Sequence, residues 1–186
     1  MKILMFNKSV VSEEYKNILI CNKIKKILKE YKKDKKLRTK SNVHGIQTTD
    51  IKDREVETFI INCFGDCIKK NYKPKKEINF VLNNLWINEN KKGSSNTAHT
   101  HPLSDFSGVY YVEVPKNSGQ ISFQHFNMHD QNLAHFFHDS EFYDAFNIFN
   151  KKYQFLIFPS TYVHRVNLSN SLKSRISISF NVSIIR

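Results

Sequence analysis

Residues 175–180 read Arg175-Ile176-Ser177-Ile178-Ser179-Phe180, a strict alternation of polar and apolar side chains. Successive side chains of a β-strand point to opposite faces, so this pattern predicts a strand with one polar and one apolar face. From residue 77 onward the chain is built of similar short segments separated by turn residues. We expect strands over 78–82, 85–88, 106–114, 120–126, 153–158, 163–168 and 175–185.

Before residue 77 the apolar residues recur at helical spacing instead. The first stripe predicts an amphipathic helix over roughly 12–33, with Ser12 as its N-cap. A second stripe predicts a helix over roughly 52–72, which Pro74 ends because proline cannot continue a helix. The other expectations for this part are a short strand over 2–6 and a polar connection over 34–50.

Two helices followed by about eight short strands predict a mainly β protein of the α+β type. The expected core is a jelly-roll or cupin-like barrel with the helices packed outside. A chain of 186 residues has the length of one domain, and its strand-rich part has no repeat or linker, so we expect one domain over 1–186. Its helical part is 1–76 and its barrel core is 77–186. Residues 127–150 break the strand rhythm and are expected to form a long loop or short helix that covers a site.

The net charge of +12 is concentrated at one end of the chain. Residues 1–40 hold thirteen Lys and Arg against four Asp and Glu, a net charge of +9. A basic segment of this kind suits nucleic acid, an anionic membrane or an acidic partner. In a chain rich in Lys, Asn and Ile it is more often a solvated helix face.

The cysteines indicate a reducing compartment. Cys21, Cys63 and Cys67 form an odd count, and no secretory signal or apolar run of membrane-spanning length is present. We therefore expect a cytoplasmic protein without a membrane partner, in which the three cysteines are buried free thiols.

The histidines of the barrel region predict a metal site. His99 and His101 lie two residues apart and point to the same side if they share a strand. His164 follows far downstream, which is the order of a facial triad that holds iron on one side. That triad normally has a carboxylate at its second position, where this chain has His101. Two alternatives stay open: one leading histidine lies outside the metal's ligands, or Asp105 supplies the carboxylate.

Arg175 predicts a binding site for a carboxylate. Its planar guanidinium can pair with a carboxylate through two hydrogen bonds, which lysine cannot imitate. Ser177 lies on the same strand face two residues on, and Tyr111 can add a hydroxyl from a facing strand.

Four motifs together carry a family resemblance: His-x-His-Pro at 99–102, Ser107-Gly-Val-Tyr-Tyr-Val112, Phe158-Pro-Ser-x-x-x-His164 and Arg175-Ile-Ser-Ile-Ser-Phe-Asn181. Over roughly residues 41–182 the chain resembles a family of 2-oxoglutarate/Fe(II) oxygenases common in marine phages and bacteria. The resemblance implies a double-stranded β-helix, Fe(II), and 2-oxoglutarate as co-substrate. The family's functional residues then fall on His99, His101 and His164 for iron and on Arg175, Ser177 and Tyr111 for 2-oxoglutarate.

Two departures from the family concern loops at the barrel mouth. Lys151-Lys-Tyr stands where the family has a glycine before a strand, and the segment after Phe123 lacks the expected Asp-Pro. The predicted activity is hydroxylation of an unidentified substrate, with conversion of 2-oxoglutarate to succinate and CO2. The alternatives are a three-histidine cupin-type dioxygenase without 2-oxoglutarate and a non-enzymatic basic barrel that binds nucleic acid or a partner. The primary substrate and the oligomeric state stay open.

Overall fold

Two antiparallel sheets form the framework of residues 9–124 and 145–185, which the computed structural model describes. The larger sheet has the strand order β1 (Val11–Glu14), β9 (Gln154–Pro159), β6 (Phe106–Glu113), β11 (Arg175–Ile184), β4 (Phe80–Asn90) and β3 (Ile46–Gln47). The smaller sheet has the order β2 (Asn42–Val43), β5 (Ser95–His99), β10 (His164–Val166), β7 (Ile121–Gln124) and β8 (Ala145–Ile148). The predicted mainly β class with two helices is confirmed.

The alternation in β11 separates the two faces of the larger sheet. Ile178 and Phe180 are fully buried in an apolar cluster that also contains helix residues. Arg175, Ser177 and Ser179 lie on the opposite face and line a cavity between the sheets. Buried apolar residues on one face are expected of any core, whereas buried polar residues on the other indicate a binding site.

Two helices cover the outer face of the larger sheet. Helix α1 (Ile18–Lys33) begins at Asn17, whose Oδ1 accepts a hydrogen bond from the Ile20 N–H at 3.0 Å. Helix α2 (Arg54–Asn71) begins at Asp53, whose Oδ1 accepts from the Val56 N–H at 3.1 Å. Both caps satisfy backbone donors that the first turn of a helix leaves free.

The prediction that α1 begins at Ser12 is wrong. Ser12 lies in β1, where it pairs with Leu156, and its Oγ accepts a hydrogen bond from Gln154 Nε2 at 3.0 Å. A strand partner more than 140 residues away along the chain therefore overrides the local capping signal.

Several strand boundaries also differ from the predictions. The two segments over 78–88 form the single strand β4, the connection over 34–50 contains β2 and β3, and residues 145–148 form β8 rather than loop or helix. The predicted strand over 2–6 and residues 127–144 of the predicted loop lie outside the described residues.

Ion pairs tie α1 to the rest of the chain. Lys23 Nζ lies 3.1 Å from Asp53, Lys25 Nζ lies 2.7 Å from Glu113, and Lys32 Nζ lies 2.8 Å from Glu89. Much of the positive charge of this helix is therefore neutralised within the chain.

The cysteine prediction is confirmed, because Cys21, Cys63 and Cys67 are all free and buried. Neither described helix has the length and apolar character needed to cross a membrane.

Candidate metal centre

Three imidazoles converge between the two sheets. One possible ligand atom from each of His99, His101 and His164 lies within 4.8 Å of the others. His99 ends β5 and His164 begins β10, where they are directly paired across the ladder. His101 lies beyond the end of β5, so the two leading histidines do not share a strand. The His101 backbone N–H instead donates to the Ser160 carbonyl at 2.8 Å.

Backbone hydrogen bonds set the tautomers of two of these rings. His99 Nδ1 lies 2.8 Å from the Thr97 carbonyl oxygen, and His164 Nδ1 lies 2.9 Å from the Tyr162 carbonyl oxygen. A carbonyl oxygen only accepts, so Nδ1 carries the proton in each ring. The Nε2 lone pair is then available to a metal, as in most histidine-ligated centres.

Burial keeps all three imidazoles neutral at pH 7. It lowers the pKa of His99, and together with the charges of His99 and Lys40 it lowers the pKa of His101 to about 4. Burial also lowers the pKa of His164 to about 3, with a further contribution from His99. Neutral imidazole is the form that binds metal, so the cluster is ready to coordinate a cation without first losing protons.

The carboxylate of Asp105 does not belong to this cluster. Its Oδ2 accepts a hydrogen bond from the Ile184 backbone N–H at 2.8 Å, at the end of β11. Among the described residues, the group that could hold a metal therefore consists of three neutral nitrogen donors without a carboxylate.

Arg175 is a buried cation at another part of the same cavity. Its side chain is 2 % exposed, and its guanidinium donates to the Gly119 carbonyl and to Asn90 Oδ1, each at 2.9 Å. Both acceptors are neutral, Nε has no hydrogen-bond partner, and no described carboxylate forms an ion pair with this side chain. A buried charge is costly unless it is paired, so Arg175 is suited to an anionic ligand.

Hydroxyl and amide groups lie beside this arginine. Ser177 is directly paired with Tyr111 on β6 and with Asn88 on β4, which forms a polar row across three strands. The Asn88 Oδ1 is buried without a hydrogen-bond partner among the described residues. Burial raises the pKa of Tyr111 to about 12, so its hydroxyl remains a donor at pH 7.

One cavity connects the two groups. Its volume is about 530 Å³ including the open mouth, and both sheets line it. All six residues predicted for the site line this cavity: His99, His101, His164, Arg175, Ser177 and Tyr111. Free Nε2 atoms and an unpaired buried guanidinium suit a divalent metal and a carboxylate-bearing ligand, respectively.

Sequence reasoning missed two partners of Arg175. Asn90 and the Gly119 carbonyl hold the guanidinium, although neither belongs to a recognisable motif. Asn90 is directly opposite Arg175 in the pairing of β4 with β11, a register that only the structure shows.

A family model described as "Putative 2OG-Fe(II) oxygenase" matches residues 84–181, just over half of the chain. The chain belongs to this family. It is therefore an enzyme of the Fe(II)/2-oxoglutarate-dependent oxygenase class, and this confirms the predicted cofactor and co-substrate. The alternatives of a cupin-type dioxygenase without 2-oxoglutarate and of a non-enzymatic barrel are set aside.

Solved structures show the same fold as this oxygenase. A prolyl-4-hydroxylase from Pseudomonas putida is 11% identical with a TM-score of 0.61, covering 94% of this chain and 93% of that chain. A viral collagen prolyl hydroxylase from Paramecium bursaria Chlorella virus-1, in complex with 2-oxoglutarate, is 14% identical with a TM-score of 0.59, covering 95% and 96%.

HygX from Streptomyces hygroscopicus, with nickel and 2-oxoglutarate bound, is 9% identical with a TM-score of 0.63, covering 95% of this oxygenase and 83% of HygX. These similarities confirm the double-stranded β-helix core. The comparison with curated proteins found no sequence match.

Proposed function

We propose that this oxygenase hydroxylates its substrate with iron held by His99, His101 and His164. In the same proposal, Arg175, Ser177 and Tyr111 hold a carboxylate of 2-oxoglutarate. The observation that carries the proposal is a single cavity that joins three convergent imidazoles to a buried guanidinium without an ion-pair partner among the described residues.

The charges of the site favour this pairing of metal and co-substrate. Three neutral imidazoles leave the charge of a divalent cation uncompensated, so the site favours an anionic co-ligand. 2-Oxoglutarate has two carboxylates, of which one can offset the metal charge while the other pairs with Arg175.

The protein's own groups orient and shield the reactants. Arg175 is held in place by Asn90 and Gly119, and Tyr111 lies under it with 5.8 Å between the guanidinium carbon and the ring centroid. The Phe158 ring packs against the His164 ring with 4.8 Å between the two centroids, and it limits access of water to this imidazole. When bound, iron supplies the oxidation in which O2, 2-oxoglutarate and a C–H bond yield succinate, CO2 and a C–OH bond.

The cellular setting belongs to the same proposal. We propose a cytoplasmic location, supported by three cysteines that are free and buried. The single domain over 1–186 is supported by one apolar cluster that contains residues from both helices and from the larger sheet.

The decisive experiment is anaerobic addition of Fe(II) and 2-oxoglutarate to the full chain. We expect a metal-to-ligand charge-transfer absorption band and, on admission of O2, release of succinate. Arg175→Gln should weaken 2-oxoglutarate binding by about tenfold to a hundredfold, because a buried charge-assisted pair is worth about 1.5–3 kcal/mol. Fe(II) affinity, measured by calorimetry, should stay near the wild-type value.

The matched control is Arg54→Gln, which removes the same charge from an exposed position on α2. It should leave both affinities unchanged. The proposal is contradicted if the wild-type protein shows no absorption band and calorimetry detects no binding of 2-oxoglutarate.

A further inference from the structure

A surface groove adjoins the histidine cluster, and Arg175 does not line it. We call it the outer groove. His99, His101 and Trp86 line both the cavity and the outer groove, so a molecule in the groove lies against the proposed iron ligands. Its volume, about 1480 Å³ including the open mouth, is nearly three times that of the cavity.

The charged residues that line the outer groove are all basic among the described residues. Arg38 and Lys40 line it, and no carboxylate of a described residue does. Lys40 lines the same groove as His99 and His101, so its ammonium and the two imidazoles border one space. An anion in the groove would meet two cations, and Asp50, which lies near Arg38, does not line the groove.

The hydrogen-bonding and charge-pairing capacity of the Arg38 guanidinium is only partly used within the chain. Its guanidinium lies over the Trp86 ring at 5.4 Å, and its Nη2 is 3.5 Å from Oδ1 of the half-exposed Asp50. The Arg38 Nε is buried without a hydrogen-bond partner among the described residues, as is Oε1 of the neighbouring Gln47. A long ion pair to an exposed carboxylate contributes little and leaves the guanidinium able to bind another anion.

The opposite wall of the outer groove is polar but already hydrogen-bonded. Asn83 Nδ2 donates to Ser104 Oγ at 2.7 Å and also to Ser183 Oγ at 2.7 Å. Asn181 Nδ2 donates to Asn84 Oδ1 at 2.6 Å. The unsatisfied polar groups of the groove are therefore at its Arg38 end.

We propose that the outer groove binds the primary substrate and that this substrate carries an anionic group, a carboxylate or a phosphate, that pairs with Arg38 and Lys40. The inference rests on the proposed function, because it takes the histidine cluster as the reaction centre. It assigns the two arginines to different molecules: the buried Arg175 binds the co-substrate, and the accessible Arg38 binds the substrate.

The single tryptophan of the chain allows a direct test. Trp86 lies between Arg38 and His101, with 5.8 Å between the indole and imidazole centroids, so its emission reports on this groove. The EDTA-treated full chain is titrated with inorganic phosphate and, separately, with acetate at constant ionic strength. We expect a saturable change in emission with one of them, and calorimetry should give the same affinity.

Four variants decide where the anion binds. Arg38→Gln and Lys40→Gln should each weaken the response about fivefold or more, whereas Arg54→Gln should leave it unchanged. Lys40 is exposed and away from the Trp86 ring contact, so this variant keeps the test interpretable if Arg38→Gln disturbs the fold or the indole. Arg175→Gln should retain the wild-type affinity for the probe.

Each outcome has a distinct meaning. Tighter phosphate binding supports a phosphoryl substrate, and tighter acetate binding supports a carboxylate substrate. Any one of three results overturns the proposal. These are no saturable response, a response that both groove variants leave unchanged, and a response that is lost in Arg175→Gln. An Arg38-dependent response without the Fe(II)/2-oxoglutarate absorption band refutes the proposed function alone. The band without such a response refutes the outer-groove assignment alone.

Discussion

At the scale of the residue, the proposed iron site differs from the usual facial triad at one position. His101 stands where the second ligand is normally a carboxylate, and Asp105 is hydrogen-bonded to the end of β11 instead. His101 also lies outside β5, so its position is set by the Ser160 carbonyl and the Trp86 ring rather than by strand alternation.

Replacement of His101 tests this position. His101→Asp restores the usual ligand set, and we expect it to keep Fe(II) binding and the charge-transfer band. His101→Ala should weaken Fe(II) affinity at least about tenfold, because one of three protein ligands is lost. Calorimetry with Fe(II) under anaerobic conditions measures both.

Thr100→Ala, in the same turn, is the control and should bind Fe(II) as the wild type does. If His101→Ala also binds Fe(II) with wild-type affinity, His101 is not a metal ligand, and only His99 and His164 hold the ion.

At the scale of the element, the end of α1 places a lysine in a backbone conformation that favours glycine. The Lys36 N–H donates to the Tyr31 carbonyl at 2.9 Å and the Lys35 N–H to the Lys32 carbonyl at 3.3 Å, the hydrogen bonds of a Schellman motif. Lys35 consequently adopts φ 54°, a conformation that favours glycine.

Lys35→Gly should stabilise the protein by about 0.5–1 kcal/mol. Relief of left-handed strain is worth about 1–2 kcal/mol, and the greater freedom of glycine in the unfolded chain offsets about half of it. Urea unfolding measures the change in free energy.

Lys33→Gly is the matched control, since Lys33 is the last residue of α1 and has the same side chain. It should destabilise the protein by about 0.5–1 kcal/mol, because glycine weakens a helix. Equal effects of the two substitutions would contradict the assignment of strain to Lys35.

The turn before β9 explains one departure from the family. Tyr153 adopts φ 68°, so this turn needs a left-handed residue, which is the reason that a glycine suits it. The Tyr153 ring packs against the main apolar cluster, and this contact offsets part of the strain of the left-handed conformation.

At the scale of the whole molecule, the layer of helices buries groups that titrate at alkaline pH. Burial raises the pKa of Cys63 to about 12 and that of Cys67 to about 11, from an ordinary value of 9.0. At a pH between the ordinary thiol pKa and the raised values, the unfolded chain loses thiol protons that the folded chain keeps. Folding then requires proton uptake, so stability falls as the pH rises above about 9.

Urea unfolding between about pH 8 and pH 10 tests this linkage. The free energy of unfolding should decrease with pH, and Cys63→Ala should lessen the decrease because one shifted thiol is removed. The comparison concerns the slope with pH, so the cavity that the alanine leaves does not affect it. An unchanged slope in Cys63→Ala would show that this thiol is not shifted.

Much of the fold and the site was accessible from the sequence. The alternation from Arg175 to Phe180 predicted β11 and which of its faces is apolar, because side-chain direction in a strand depends only on position. The spacing of His99, His101, His164 and Arg175 predicted a metal and carboxylate site, and all four line one cavity.

Only the tertiary structure decided the features that depend on residues far apart in the chain. Ser12 caps no helix because β9 pairs with its strand, and Asp105 is no cluster ligand because the end of β11 binds its carboxylate. Lysines that suggested a polyanion partner form ion pairs with Asp53, Glu113 and Glu89. The sequence by itself determined the periodicity of the elements and the order of the donor residues. Only the tertiary structure decided the partners of each group, because periodicity is a local property and hydrogen-bond and charge pairing join residues that are far apart in the chain.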